Sequence, residues 1–152
     1  MIIKQIDTIP LNMHLLPELT IHMQRSAHGG RVVLYRVTLE NGAVGYGEDV
    51  GAADDVSHLV GENALAGLRH IQHSGVQMAC FDAVGRALDV PAHQLMGRQV
   101  RDKVPFAYWT IDLPPDLWAQ QTQRAAGLGY RVYKFKCRPG GIPSNRSSAW
   151  PR

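Results

Sequence analysis

Two lysines, Lys134 and Lys136, in the stretch "YRVYKFKC" have the types and spacing that chemistry needs. Side chains alternate across a strand, so Val132, Lys134 and Lys136 share one face while Tyr133, Phe135 and Cys137 take the other. Two residues apart on a strand, Cα atoms are separated by roughly 6.5 to 7 Å. At that range two ammonium groups repel, and partial burial adds a desolvation penalty. At least one lysine is therefore expected to give up its proton readily and to serve as a base near neutral pH. The plainer alternative is a solvated edge strand whose lysines guard against aggregation. From spacing alone that alternative is the stronger.

The elements that must position these lysines come in three regimes. "MIIKQIDTIPLNMHL" and "RVVLYRVTLENGAVGYGEDV" alternate, with Asn41-Gly42 between two strand-like runs. They predict strands at 2–12, 31–39 and 43–48 in a small antiparallel sheet. "PELTIHMQRSAHGG" and "EDVGAADDVSHLVG" have no period and read as irregular excursions. Next, "GVQMACFDAVGRAL" places Val76, Ala79, Cys80, Ala83, Val84 and Ala87 at helical spacing. Met78, Phe81 and Leu88 widen the stripe, so the helix should be deeply buried. Asp82 and Arg86, four apart, can pair along it. A shorter helix is expected at 62–71, and Pro91 should restrict Val90 and end the longer one. From Lys103, "KVPFAYWTID", "PPDLWAQQTQRAAGLG" and "YRVYKFKC" read as strand, helix and strand: a βαβ unit with parallel strands. Its helix covers one face, which suits Tyr133 and Phe135, and leaves the lysines on the other.

Composition bounds the function classes. A chain of 152 residues with 45% hydrophobic and 19% charged residues has a real core and room for one ordinary domain, or for a small one and part of another. The net charge is only +3 and the basic residues are dispersed except for a cluster after Lys134, which argues against a nucleic-acid partner. Cys80 and Cys137 lie far apart in no metal-ligand spacing and read as reduced core thiols. No basic leader or membrane-length apolar run is present, so the default is a cytoplasmic protein with no membrane partner. The seven histidines are dispersed. His70 and His73, three apart, read as dipole-favoured surface histidines at a helix end rather than as metal ligands.

Taken together, "VLYRVTLENGAVGYGE", "ACFDAVGRALDVPAHQLMGRQVRDKVPFAY" and "GYRVYKFK" resemble the enolase superfamily, in its mandelate racemase and muconate-lactonizing branch. The likeness runs in order from residue 1 to 137. Its most specific motif is D-x-x-G-R/K-A-L-x-V-P, here Asp82, Gly85, Arg86, Ala87, Leu88, Val90 and Pro91. The resemblance implies an α+β capping domain over residues 1–102, a three-stranded antiparallel sheet with helices. An incomplete (β/α) barrel fragment over 103–137 follows, with its first βα unit and second strand. It also implies that Lys136 abstracts the proton α to a substrate carboxylate and that Lys134 holds the carboxylate or tunes its neighbour. A Mg²⁺ ion stabilises the enediolate in full-length relatives. Those relatives are isomerases and lyases acting on a small carboxylate such as an acid sugar. The loops at 17–30 and 49–58 would close over the barrel mouth, where His22 and Arg25 could meet an anionic substrate. Exposure without function is the plainer reading of both.

In the family, acidic residues on later barrel strands hold the metal, so no metal site and no bound Mg²⁺ are expected in this chain. Glu48, Asp49, Asp54 and Asp55 do not replace those ligands and read as solvated loop acids. Without the metal the enediolate loses its main electrostatic support, and the chain alone is expected to be inactive. Tyr108 and Trp109 end the first barrel-like strand, one of them facing the would-be pocket. Residues 138–152 form an irregular tail. Read two bases out of frame from within the Gly140 codon, the tail can spell W-D-P-V-E-Q-I-V-S-M-A-A, a helix opening, as a one-base deletion near Pro139 would produce. Two parallel strands without neighbours expose edges, so association with other copies or aggregation is expected. The competing class is a non-enzymatic binding or oligomerisation module that uses the capping-domain surface.

Overall fold

Alternation and turn chemistry together produce three strands, β1 (Ile3–Asn12), β2 (Arg31–Leu39) and β3 (Val44–Val50). They pair antiparallel in the order β1-β2-β3. The computed structural model describes residues 1–14, 17, 20, 31–111 and 113–135. Of β2, Val33, Tyr35, Val37 and Leu39 point into the core and are at most 1% exposed. The β2–β3 connection is a three-residue loop, 40–42, rather than a two-residue turn. Gly42 sits at φ +87 and Leu39 N–H donates to the Ala43 carbonyl at 2.8 Å. A loop of that length needs a left-handed residue at its third position, which glycine supplies without steric cost.

Two helices follow. α1 (Ala64–Gly67) is capped by Asn63, whose Oδ1 accepts the N–H groups of Leu65 and Ala66 at 3.1 and 3.3 Å. It is much shorter than the expected 62–71, because the Gly67 carbonyl takes both the His70 and the Ile71 N–H and tightens the chain into a turn. α2 (Ser74–Leu88) buries Val76, Ala79, Cys80, Ala83 and Val84 against the sheet. It is amphipathic rather than enclosed: Met78 and Leu88 are 44% and 45% exposed, since only one side of the helix meets the sheet. Its stop is Asp89, left-handed at φ 55, with the Val90 N–H returned to the Gly85 carbonyl at 2.9 Å. This is a Schellman-type end. Pro91 instead opens α3 (Ala92–Met96).

The described residues divide into two units, one made of 1–14 and 31–102, the other of 17, 20 and the residues from Lys103 on. In the second, β4 (Tyr108–Thr110), α4 (Pro115–Gly127) and β5 (Tyr133–Phe135) form a βαβ unit with parallel strands. Both strands start later than expected, β4 at Tyr108 rather than 103 and β5 at Tyr133 rather than 130. Pro105 has no N–H to give a ladder, and Val104 and Phe106 are 66% and 81% exposed, with no face to bury. Before β5, the Tyr130 N–H bonds the Ala125 carbonyl at 3.0 Å and Gly129 is left-handed at φ +85, so residues 128–130 finish the helix rather than start the strand. Among the described residues no helix is long and apolar enough to cross a membrane.

Candidate active site

The βαβ unit sorts its side chains by face. Towards α4, the Tyr108 hydroxyl donates to Gln121 Oε1 at 2.8 Å, and Trp118 stands edge-on to Phe135 with ring centroids 5.5 Å apart. Tyr133 lies 4.5 Å from Phe135 and 5.4 Å from Tyr108, centroid to centroid. Its hydroxyl shares a 2.5 Å hydrogen bond with Oγ1 of the buried Thr110. This aromatic layer fixes the rotation of β5 about its own axis. Tyr133 and Phe135 cover the helix side, as their size suggests, and Lys134 between them takes the opposite face.

On that face Lys134 is the register partner of Trp109, which is 48% exposed. Trp109, rather than Tyr108, is the aromatic that looks away from the helix. Lys134 is itself exposed, so the described residues do not supply the partial burial that the sequence reading invoked. Lys136 lies outside the described residues, as do His22, Arg25, Cys137 and the tail 138–152.

An open recess of about 660 Å³ lies in the same unit, lined by residues 105–107 and 128–132. Those residues directly precede β4 and β5, so the recess is at the N-terminal ends of the strands. Chemistry on parallel βα units gathers at the C-terminal ends, and the recess is therefore on the wrong side to be the site.

Of the acids read as loop acids, Asp49, Asp54 and Asp55 have structural partners. Glu48 and Asp49 belong to β3 rather than to a loop, and Asp49 Oδ2 accepts a hydrogen bond from the Ser74 hydroxyl. Asp54 Oδ2 stands 3.3 Å from His73 Nε2. The exposed Asp55 carboxyl accepts from Ser57, whose hydroxyl and N–H hold it below the usual carboxylate range. His73 is no surface residue at a helix C-terminus: it caps the N-terminus of α2, its Nδ1 accepting the Val76 N–H at 3.3 Å. No three His, Cys, Asp or Glu side chains among the described residues gather to hold a metal ion. The described residues thus do not fit the Mg²⁺ that the family resemblance implies.

Sequence reading passed over two residues of β3, Gly45 and Gly47. A Cβ on Gly45 would lie 2.1 Å from the Ala79 carbonyl oxygen, and one on Gly47 the same distance from that of Gly75. The signal was available: glycines two apart in a strand leave one face bare for the close approach of another backbone. The Asp82–Arg86 pair forms as expected at 3.0 Å, and Asp82 Oδ2 also accepts the Tyr46 N–H at 3.0 Å, closing the open edge of β3.

No protein-family model matches the chain. A D-xylonate dehydratase of Haloferax volcanii is 30% identical over 147 residues, a match that covers 76% of this chain and 36% of the relative. A protein of Streptomyces coelicolor named Probable glucarate dehydratase is 37% identical over 103 residues, covering 62% of this chain and 19% of that one. The chain therefore spans roughly a fifth to a third of these curated relatives. Among solved structures, the muconate lactonizing enzyme from Pseudomonas putida matches with a TM-score of 0.62 at 22% identity, covering 91% of this chain and 45% of its own. That likeness is one of fold: a capping domain followed by part of a barrel.

Proposed function

Since the chain belongs to the mandelate racemase and muconate-lactonizing branch of the enolase superfamily, of which it carries a part, we propose that it holds the base-bearing strand of a carboxylate-enolising enzyme. In this reading Lys136, neutral, takes the proton α to the carboxylate of a small acid such as an acid sugar and becomes an ammonium. The electron pair left behind spreads into the carboxylate as an enediolate. Lys134 holds that carboxylate or, as a second cation, keeps Lys136 from being protonated at rest. The observation that carries the reading is the placement of Lys134 on β5, beside Trp109 and on the face away from α4. The K-x-K spacing in the sequence is the other half of the argument, since residues two apart on a strand share a face.

The described residues supply Lys134 on β5 and no clustered acids for a cation. A positioned general base is worth about 10²- to 10⁴-fold, a small part of what α-proton abstraction from a carboxylate needs. The 152-residue chain alone is therefore expected to show no exchange of the α-proton of D-xylonate or glucarate in D₂O with Mg²⁺, followed by proton NMR. Exchange above the buffer rate that disappears in Lys136→Ala would overturn this. The lysine assignment has its own arm. When residues 1–137 replace the matching part of the muconate lactonizing enzyme, exchange should be restored, and Lys136→Ala should lower it by about 10²- to 10⁴-fold. A restored activity indifferent to Lys136 removes the assignment.

A second reading has its own observation. The sheet face away from α2 carries Ile9 and Leu11 of β1 and Val50 of β3, exposed by 38%, 39% and 53%, with Val32 and Leu34 of β2 registered between them. Such a patch suits a binding or oligomerisation module. On this reading the chain sediments as a dimer or larger, and the double variant Ile9→Lys, Leu11→Lys sediments as a monomer. A wild-type monomer at the same concentration ends it.

A further inference from the structure

His73 links three pieces of the first unit. From α2, the Val76 N–H donates to its Nδ1 at 3.3 Å, so that nitrogen carries a lone pair and the proton of the neutral ring sits on Nε2. From the stretch before the 3₁₀ turn at Ser57–Leu59, Asp54 brings Oδ2 to 3.3 Å from Nε2. That Nε2 is buried and lacks the alignment of a hydrogen bond, so the contact is an ion-pair distance in waiting rather than a formed bond. From β2, the Tyr35 ring meets the imidazole edge-on, centroids 4.5 Å apart, and its hydroxyl accepts the Asp54 N–H at 3.3 Å. A fourth piece, β3, reaches the next residue along, where Asp49 accepts from the Ser74 hydroxyl. In these contacts the ring meets the Asp54 carboxylate and the Tyr35 phenol, and its neighbour Ser74 meets the Asp49 carboxylate.

A protonated imidazole cannot keep this arrangement. Both its nitrogens are donors, so Nδ1–H would confront the Val76 N–H at the positive end of the α2 dipole. Asp54, whose side chain is 71% exposed, is free to follow the ring outward and complete the ion pair. We propose that His73 is a proton-operated latch: neutral, it caps α2 at Val76; protonated, it leaves the cap and pairs with Asp54, loosening the first turn of α2 from the segment beneath it.

The test uses the isotope-labelled full chain, taken from roughly pH 8 to roughly pH 5, the span in which histidine changes charge. At the upper end the ring ¹⁵N shifts should report an unprotonated Nδ1. As the ring titrates, the Val76 amide should lose about tenfold in protection against hydrogen exchange, corrected for the intrinsic rate. In His73→Asn the Oδ1 atom can accept the same N–H at every pH, so this loss should vanish. The proposal is overturned by an Nδ1–H tautomer at the upper end, by Val76 protection unmoved while the ring titrates, or by an undiminished loss in His73→Asn. The first two outcomes need no variant to fold.

Discussion

Gly45→Ala is expected to lower the unfolding free energy of the first unit by about 3 kcal/mol or more, enough to abolish a cooperative transition in a marginally stable unit. The added methyl group would stand 2.1 Å from the Ala79 carbonyl oxygen and 2.2 Å from the Ala83 nitrogen. Both are backbone atoms of α2, so no rotamer change relieves the overlap. Helix and strand would have to separate, opening the layer that buries Ala79, Cys80 and Ala83. The same separation would break the Tyr46 N–H bond to Asp82 that covers the edge of β3. The packing is reciprocal, because a Cβ on Gly75 of α2 would lie 2.5 Å from the Tyr35 ring. Gly127→Ala is the control. A Cβ there meets nothing within 4 Å, and its φ is ordinary, so that variant should be neutral or slightly stabilised. Urea unfolding followed by circular dichroism distinguishes the two; equal midpoints for the variants would refute the close approach.

The same contact shows what a sequence reveals and what it hides. The sheet was legible because β2 alternates apolar and polar from Tyr35 to Leu39 and Asn41-Gly42 marks a reversal. The position of α2 was legible from its spacing, but its depth was not. Whether Met78 and Leu88 are covered depends on what lies on the helix's far side, and no local pattern states that. The motif D-x-x-G-R, the most specific mark of the family likeness, proves to be architectural. Asp82 ties the helix to β3, and Gly85 leaves room for the Val90 carbonyl, 2.8 Å from where a Cβ would stand. His73 was misassigned because α1 ends at Gly67, four residues before the expected 71, which turns a supposed helix end into the start of the next.

For the site, alternation alone told which way Lys134 points, since Tyr133 and Phe135 need the cover of α4. Its environment was not legible. Burial and counter-charges for a barrel lysine come from strands distant in sequence, so two residues of "YKFK" can state a direction and not a local field. Trp109 was a candidate beside Tyr108, and only the parallel register, Trp109 against Lys134, settles which of the two shares the lysine's face.

Stability is expected to fall by about 2 to 3 kcal/mol between pH 9 and pH 11 through one buried thiol. Cys80 is 0% exposed at the centre of α2's buried face, and burial pushes its pKa from 9.0 up to about 11. The unfolded chain releases this proton near pH 9 while the folded one keeps it. Across the window the unfolded state therefore binds fewer protons, and the slope of stability with pH is negative, about 1.4 kcal/mol per unit at most. Below pH 9 both states hold the proton and the group has no pH effect; above pH 11 both have lost it and the penalty is constant. Tyrosines and lysines also titrate in this range, so the quantity to read is the difference between the wild type and Cys80→Ala. That variant gives up some packing at every pH but should lack the extra decline. Parallel stability curves from pH 8 to pH 11 would mean that the thiolate is tolerated in the core, which the apolar surroundings of Val76, Ala79, Ala83 and Val84 argue against.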